Sequence, residues 1–192
     1  MTSNINCLED LIDHLQSKNA ESRILIVGPT GTGKSTLGKL LGERLGIAHQ
    51  SLDELHFNPG WQPKPEEEFF ANIDRVVAED RWILDGNYNR AQHRIRPRVT
   101  SMIWLNYPFV TNFRQLFRRT MARAWTGEEL YNGCHESFRQ SFFSRESILL
   151  WLCTSFRRNR IRYGELFRDP EFQSQKLLIE LTNPSQARSR VS

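Results

Sequence analysis

Gly28, Gly31, Gly33, Lys34 and Ser35 are spaced as a phosphate-cradling loop requires: Gly28, four residues, then Gly33-Lys34-Ser35. A loop that wraps a polyphosphate turns several backbone N–H groups inward, and side chains at the glycines would block that approach. Lys34 brings a compact positive charge to the β- and γ-phosphates, and Ser35 offers a hydroxyl to an accompanying Mg²⁺. Thr30, Thr32 and Thr36 fill out the loop and the first turn of the following helix, whose N-terminal dipole favours bound anions. The expected ligand is a nucleoside triphosphate, ATP with Mg²⁺.

Two acids extend this chemistry. Asp53 follows the short run Ile47–Leu52, and Asp85 ends the run from Arg81 just before Gly86-Asn87-Tyr88. In open α/β sheets, ligands collect beyond the carboxyl ends of the strands, so both acids are well placed. Each also has a plainer reading. Asp53 suits a helix N-cap, and Asp85-Gly86 is a common turn pair.

The elements that must position these groups are legible in the pattern. Ile24–Val27 reads as the strand entering the loop, and Leu37, Leu40, Leu41 and Leu45 repeat at helical spacing up to a stop at Gly46. Further strands are expected at 47–52, 81–88, 100–105 and 176–181. Helices are expected over 1–20, packed on the outside, and around Phe69, Phe70, Ile73, Val76 and Val77. Another carries Phe109, Phe113, Leu116, Phe117, Met121 and Ala124 as an apolar stripe. A last one turns Ile148, Leu149, Trp151, Leu152 and Phe156 inward. Residues 126–145 are polar and poorly periodic, the signature of a loop, and 185–192 reads as a frayed tail. Five strands alternating with helices imply an α/β P-loop nucleoside-triphosphatase domain with a parallel sheet flanked by helices.

Composition narrows the class. The chain has 192 residues, 39% hydrophobic and 25% charged, with three scattered cysteines (Cys7, Cys134, Cys153) that suit neither a disulfide framework nor zinc. No apolar run is long enough to span a bilayer. Met1–Asp10 lacks the blocks of a signal peptide, so a cytoplasmic setting is expected. A monomer is the default. His56, His93 and His135 read as structural or surface residues. Net charge is +4, and only five of the 26 basic residues are Lys. Fourteen Arg against four acids lie between Arg90 and Arg162. Arg suits bidentate phosphate recognition. A nucleic-acid surface would also be Arg-rich, and a solvated helix face is the plainer alternative.

Three stretches together carry a family resemblance: the phosphate loop, Leu52-Asp53-Glu54-Leu55-His56-Phe57-Asn58-Pro59-Gly60-Trp61, and Trp82-Ile83-Leu84-Asp85-Gly86-Asn87-Tyr88. With the two Arg-bearing helices around a loop, the chain over about 22–182 resembles the topology modulation proteins, adenylate-kinase-related P-loop nucleotide kinases. The resemblance implies an adenylate-kinase-like fold with a short Arg-rich lid, and an ATP-dependent kinase acting on a nucleoside or nucleotide. It implies that Asp85 stands near Mg²⁺ with Ser35 and that Asp53 faces the acceptor. It also implies that Arg119 and Arg123 serve the nucleotide and the transferring phosphate, and that Arg157–Arg162 form the returning arm of the lid, with Arg157 counted among the catalytic residues. Trp61, Asn87 and Tyr88 are the acceptor-side candidates.

Two departures stand out. Asn106 occupies a position where relatives often carry an acid. The arginine that would hold a nucleotide monophosphate is replaced by Asn87-Tyr88-Asn89, with Arg90 further on. The lid stretch lacks a four-cysteine zinc pattern. The competing function is an ATP-binding regulator or nucleic-acid-associated protein, including a 5′-end polynucleotide kinase, using the basic 90–162 stretch.

Overall fold

Strands Ile24–Val27 and Ser101–Leu105 are almost wholly apolar because they are covered on both faces, as parallel strands usually are. In the computed structural model, which describes residues 5–20, 22–126 and 148–188, β1 (Arg23–Val27) lies at the centre of a five-stranded parallel sheet. Its neighbours are β5 (Trp82–Asp85) and β6 (Ser101–Leu105); β2 (His49–Ser51) and β7 (Leu177–Leu181) form the edges. The order is β2-β5-β1-β6-β7. Two short strands, β3 (Phe57–Asn58) and β4 (Gln62–Pro63), make a separate antiparallel hairpin.

The period-two alternation along β1 sorts its side chains between two cores. Ile24 and Ile26 pack with Leu8, Leu11 and Leu15 of α1 (Leu8–Ser17) and Leu37 and Leu41 of α2 (Lys34–Leu45). Leu25 and Val27 pack on the other face with Phe69 and Ile73 of α4 (Glu66–Ala78) and with Trp82, Leu84, Trp104 and Tyr163. Leu52 of α3 (Leu52–His56), directly after β2, and Ile95 of α5 (Gln92–Ile95) join this second core. The helices α6 (Phe109–Thr126), α7 (Ile148–Leu166) and α8 (Pro170–Gln175) complete the chain.

Four strands fall within the expected stretches, shortened at their ends, and β1 begins one residue earlier than expected, at Arg23. Helix α1 does more than decorate the outside, since Leu8, Leu11 and Leu15 are fully buried in the core against β1. Its start is fixed by the chain's other end: Leu8 N–H donates to Arg188 O, and Gln186 Nε2 donates to Ile5 O. Residues 185–188 are therefore not frayed; Asn183 and Gln186 cap a short turn there.

The apolar stripe of α6 is also corrected. Leu116 is buried together with Asn112 and Thr120, whereas Phe109, Phe113, Phe117 and Met121 are partly open to solvent. Trp151 of α7 likewise faces outward, while Leu152 is buried. The stretch expected to form the lid, 126–145, lies beyond Thr126 outside the described residues.

Candidate active site

The chain leaves β1 for α2 on one side of the sheet centre, while β6 lies on the other side. A crevice at the carboxyl ends of the strands is the usual ligand position for such a switch in strand order. The phosphate loop lies there because β1 runs straight into it. At Gly28 the backbone has φ +149°, and a Cβ would come within 2.7 Å of Leu105 O, so only glycine lets the loop cross β6 this closely. Pro29 O closes the loop from inside, accepting from Thr32 Oγ1 at 2.9 Å and Lys34 Nζ at 3.0 Å. Gly33, in the left-handed region, starts α2, and no atom lies within 4 Å of where its Cβ would be.

Asn87 clips this loop from the next strand. Its Nδ2 donates to Gly28 O at 2.6 Å, and its Oδ1 accepts from Gly28 N–H at 3.1 Å. Tyr163 of α7 donates its hydroxyl to the same Oδ1 at 3.1 Å, and burial pushes the Tyr163 pKa up to about 12. Asn87, an acceptor-side candidate by sequence, is thus placed on the loop backbone.

Asp85 lies beneath the loop and is buried. Its Oδ1 accepts from the Ser35 hydroxyl at 3.3 Å, and its Oδ2 lies 2.8 Å from His49 Nε2. Asp85 is therefore more than a turn acid, because both oxygens are engaged by the site. An oxygen pair of hydroxyl and carboxylate is the donor chemistry that suits Mg²⁺. The glycine loop supplies backbone N–H groups for the phosphates, so the residues present fit Mg-ATP.

Lys34 joins the two acids electrostatically. Desolvation lowers its pKa; the carboxylates of Asp85 and Asp53 push it back up, and the Arg119 guanidinium lowers it again. Asp85, Asp53 and Arg119 thus each act electrostatically on Lys34. Asp53 is not the cap of α3. Ser51 holds that position, with Asp53 N–H donating to its hydroxyl at 3.3 Å and Glu54 closing a capping box. The Asp53 carboxylate instead accepts from the Tyr88 hydroxyl at 2.7 Å. Burial first, then Asp53, raises the Tyr88 pKa strongly, so the phenol stays a donor.

Around this pair stands an aromatic wall. The His56 ring packs against Phe57, Phe69 and Tyr88 with centroids 4.6 to 5.1 Å away. Arg90 NH2 reaches His56 Nε2 at 3.1 Å, and the guanidinium lies over Phe69. Trp61, at φ +60° and partly exposed, stands at the rim with its ring 5.3 Å from Phe57.

The arginines separate by position. Arg119 is half-buried towards Lys34, whereas Arg114 and Arg118 face solvent. Arg123 belongs to α6, but its side chain lies outside the described residues. Arg162 bonds Asn89. Arg157 is exposed and lines a hollow of about 1390 Å³ beside β7, together with Arg160 and Arg168. The described geometry therefore sets Arg157 apart from Lys34 and Asp85. Sequence reasoning missed His49, Gly38 and Tyr163. The partners of His49 and Tyr163 lie 36 and 76 residues away, and nothing local marks them.

Stretches of the chain are similar to curated small-molecule kinases. A shikimate kinase of Streptomyces avermitilis is 53% identical over 63 residues, 33% of this chain and 26% of that protein. A putative adenylate kinase of Thermococcus onnurineus is 37% identical over 71 residues, 33% of this chain and 39% of that one. The matches thus span well under half the length of these relatives. A solved shikimate kinase from Acinetobacter baumannii, in complex with shikimate, has a TM-score of 0.51 and covers 90% of both chains at 19% identity. No family model matches the chain. The α/β fold is that of the P-loop kinases.

Proposed function

We propose that this chain is an ATP-dependent phosphotransferase that moves the γ-phosphoryl group to a hydroxyl of a small acceptor, most simply a nucleoside or nucleotide. Within the P-loop kinases we place it with the topology modulation proteins on its Asp53–Trp61 and Asp85–Tyr88 stretches. One observation carries the reading: Asp53, held by Tyr88, shares the electrostatic field of Lys34 with Asp85. An acid in that position is what acceptor activation needs.

The roles follow from charge and geometry. The loop amides and Lys34 hold the β- and γ-phosphates, while Ser35 and Asp85 hold Mg²⁺. When bound, the metal neutralises phosphate charge. The acceptor oxygen forms a bond to the γ-phosphorus as the bond from that phosphorus to the β–γ bridging oxygen breaks. Asp53 takes the acceptor's proton, and ADP leaves with the bridging oxygen. Arg119 adds positive charge beside Lys34 as charge spreads over the equatorial oxygens. Trp61 stands at the acceptor rim. On the resemblance alone, Arg123 is assigned to the nucleotide and the transferring phosphate and Arg157 to the returning arm of the lid.

The test is ADP formation from Mg-ATP with a panel of nucleosides, nucleotides and shikimate, with Lys34→Ala alongside. If no acceptor stimulates turnover while ATP still binds, the reading fails. Among the described residues Cys7 and Cys153 are free thiols, in keeping with a reducing cytoplasmic setting. Among the described residues no helix is long and apolar enough to cross a membrane.

A nucleic-acid-associated protein is the second reading. The hollow beside β7 favours it, since Lys18, Arg157, Arg160, Arg168 and Lys176 line it against Glu165 and Glu180. Salt-dependent binding of oligonucleotides, weakened by Arg160→Ala, would support it. Its absence at low salt would remove it.

A further inference from the structure

We infer that His49 is a positioning residue that fixes the plane of the Asp85 carboxylate, and that Gly38 is the gap in α2 that admits its ring. The inference rests on the reading of Ser35 and Asp85 as the Mg²⁺-holding pair.

His49 and Asp85 sit on adjacent parallel strands, and both side chains are almost wholly buried, 7% and 2% exposed. The His49 Nε2–Asp85 Oδ2 distance of 2.8 Å is the shorter of the two polar contacts on this carboxylate; the Ser35 hydroxyl reaches Oδ1 at 3.3 Å. A carboxylate turns easily about its last torsion, whose preferences are broad. A partner on each oxygen, one from β2 and one from α2, removes that freedom.

The path of the ring shows the arrangement to be specific. A Cβ at Gly38 would come within 2.3 Å of His49 Cδ2 and 2.4 Å of Nε2. Gly38 lies inside a regular helix, so its backbone does not call for glycine. Glycine is among the poorest residues for a helix interior. The gap it leaves is filled by the imidazole that reaches Asp85.

Groups that hydrogen-bond a metal's ligands typically change metal affinity ~10- to 100-fold when removed. The test measures Mn²⁺ binding to the full chain with saturating ADP, by calorimetry, beside ADP affinity without metal. His49→Ala is expected to weaken Mn²⁺ ~10- to 100-fold and leave metal-free ADP binding unchanged. His49→Gln, which can return an N–H to Asp85, recovers most of the loss.

Gly38→Ala is expected to weaken Mn²⁺ as His49→Ala does, by displacing the ring. In the double variant it adds nothing, because the clash has gone. Thermal melts confirm folding. Should Gly38→Ala not fold, His49→Ala against His49→Gln decides alone.

Wild-type Mn²⁺ affinity in His49→Ala, or equal losses in His49→Ala and His49→Gln, overturns the inference. A wild-type protein that binds ADP but no Mn²⁺ overturns the metal-pair reading beneath it, a separately visible result.

Discussion

The Tyr88 hydroxyl donates to Asp53 Oδ1 at 2.7 Å, joining the turn after β5 to the first turn of α3. The bond fixes an acid that a five-residue helix could not hold still alone. It also keeps Asp53 as an acceptor, since the phenol holds its proton.

If Asp53 is the base, Asp53→Asn lowers kcat ~10²- to 10⁴-fold with little change in the KM for ATP. Tyr88→Phe removes one hydrogen bond to a charged group, worth about 1.5–3 kcal/mol. It should lower kcat/KM for the acceptor ~10-fold or more, since 1.4 kcal/mol is tenfold. Steady-state kinetics with ATP and acceptor varied separately decide this, and an undiminished kcat in Asp53→Asn removes the base.

Asn87 serves the loop before it serves any ligand. Asn87→Ala strips partners from both the N–H and the C=O of buried Gly28, a loss of about 1–3 kcal/mol. For a chain of this size that is a Tm lower by about 2–12 °C, accompanied by a higher KM for ATP. An unchanged melting curve would show the clip to be dispensable.

Gly28→Ala meets two penalties, a φ of +149° and a Cβ 2.7 Å from Leu105 O. Overpacking alone costs about 1–3 kcal/mol. We expect a destabilised protein without measurable nucleotide affinity by calorimetry. Tight nucleotide binding by this variant would contradict the described loop.

Much of this site is written locally in the sequence. Gly28 to Ser35 declares the loop, and the alternation of Ile24 and Ile26 with Leu25 and Val27 suits a strand buried on both faces. Asp53 stands out because it lies just past a strand, and Asp85 because it ends one. What is not written locally depends on tertiary approach. His49 is one polar residue in a short strand, and nothing in its neighbours marks a partner at position 85. Asn87 looks like a ligand residue until the fold brings it to Gly28, 59 residues away. The α6 stripe misled for a different reason: a helix with apolar residues on more than one side does not state which side the core takes. Leu116 took it, beside Asn112 and Thr120.

His56 gives the fold a pH dependence. Burial, then Arg90, lowers its pKa from 6.5, so between its folded value and 6.5 the unfolded chain binds more protons. Its contribution is therefore complete above pH 6.5 and is lost as pH falls through the folded value. Thermal melts should decline more steeply below pH 6.5 in the wild type than in His56→Phe, which keeps a ring against Phe57 and Phe69. Parallel declines would show that His56 does not titrate with folding.

Phosphoryl transfer is followed most directly through the γ-phosphoryl group itself. Mg-ATP labelled at the γ-position is incubated with each acceptor and with wild type, Lys34→Ala or Asp53→Asn. Label is expected on the hydroxyl of one acceptor class, lost with Lys34→Ala and strongly slowed with Asp53→Asn. Label released only as inorganic phosphate, or none transferred although ATP binds, would contradict it.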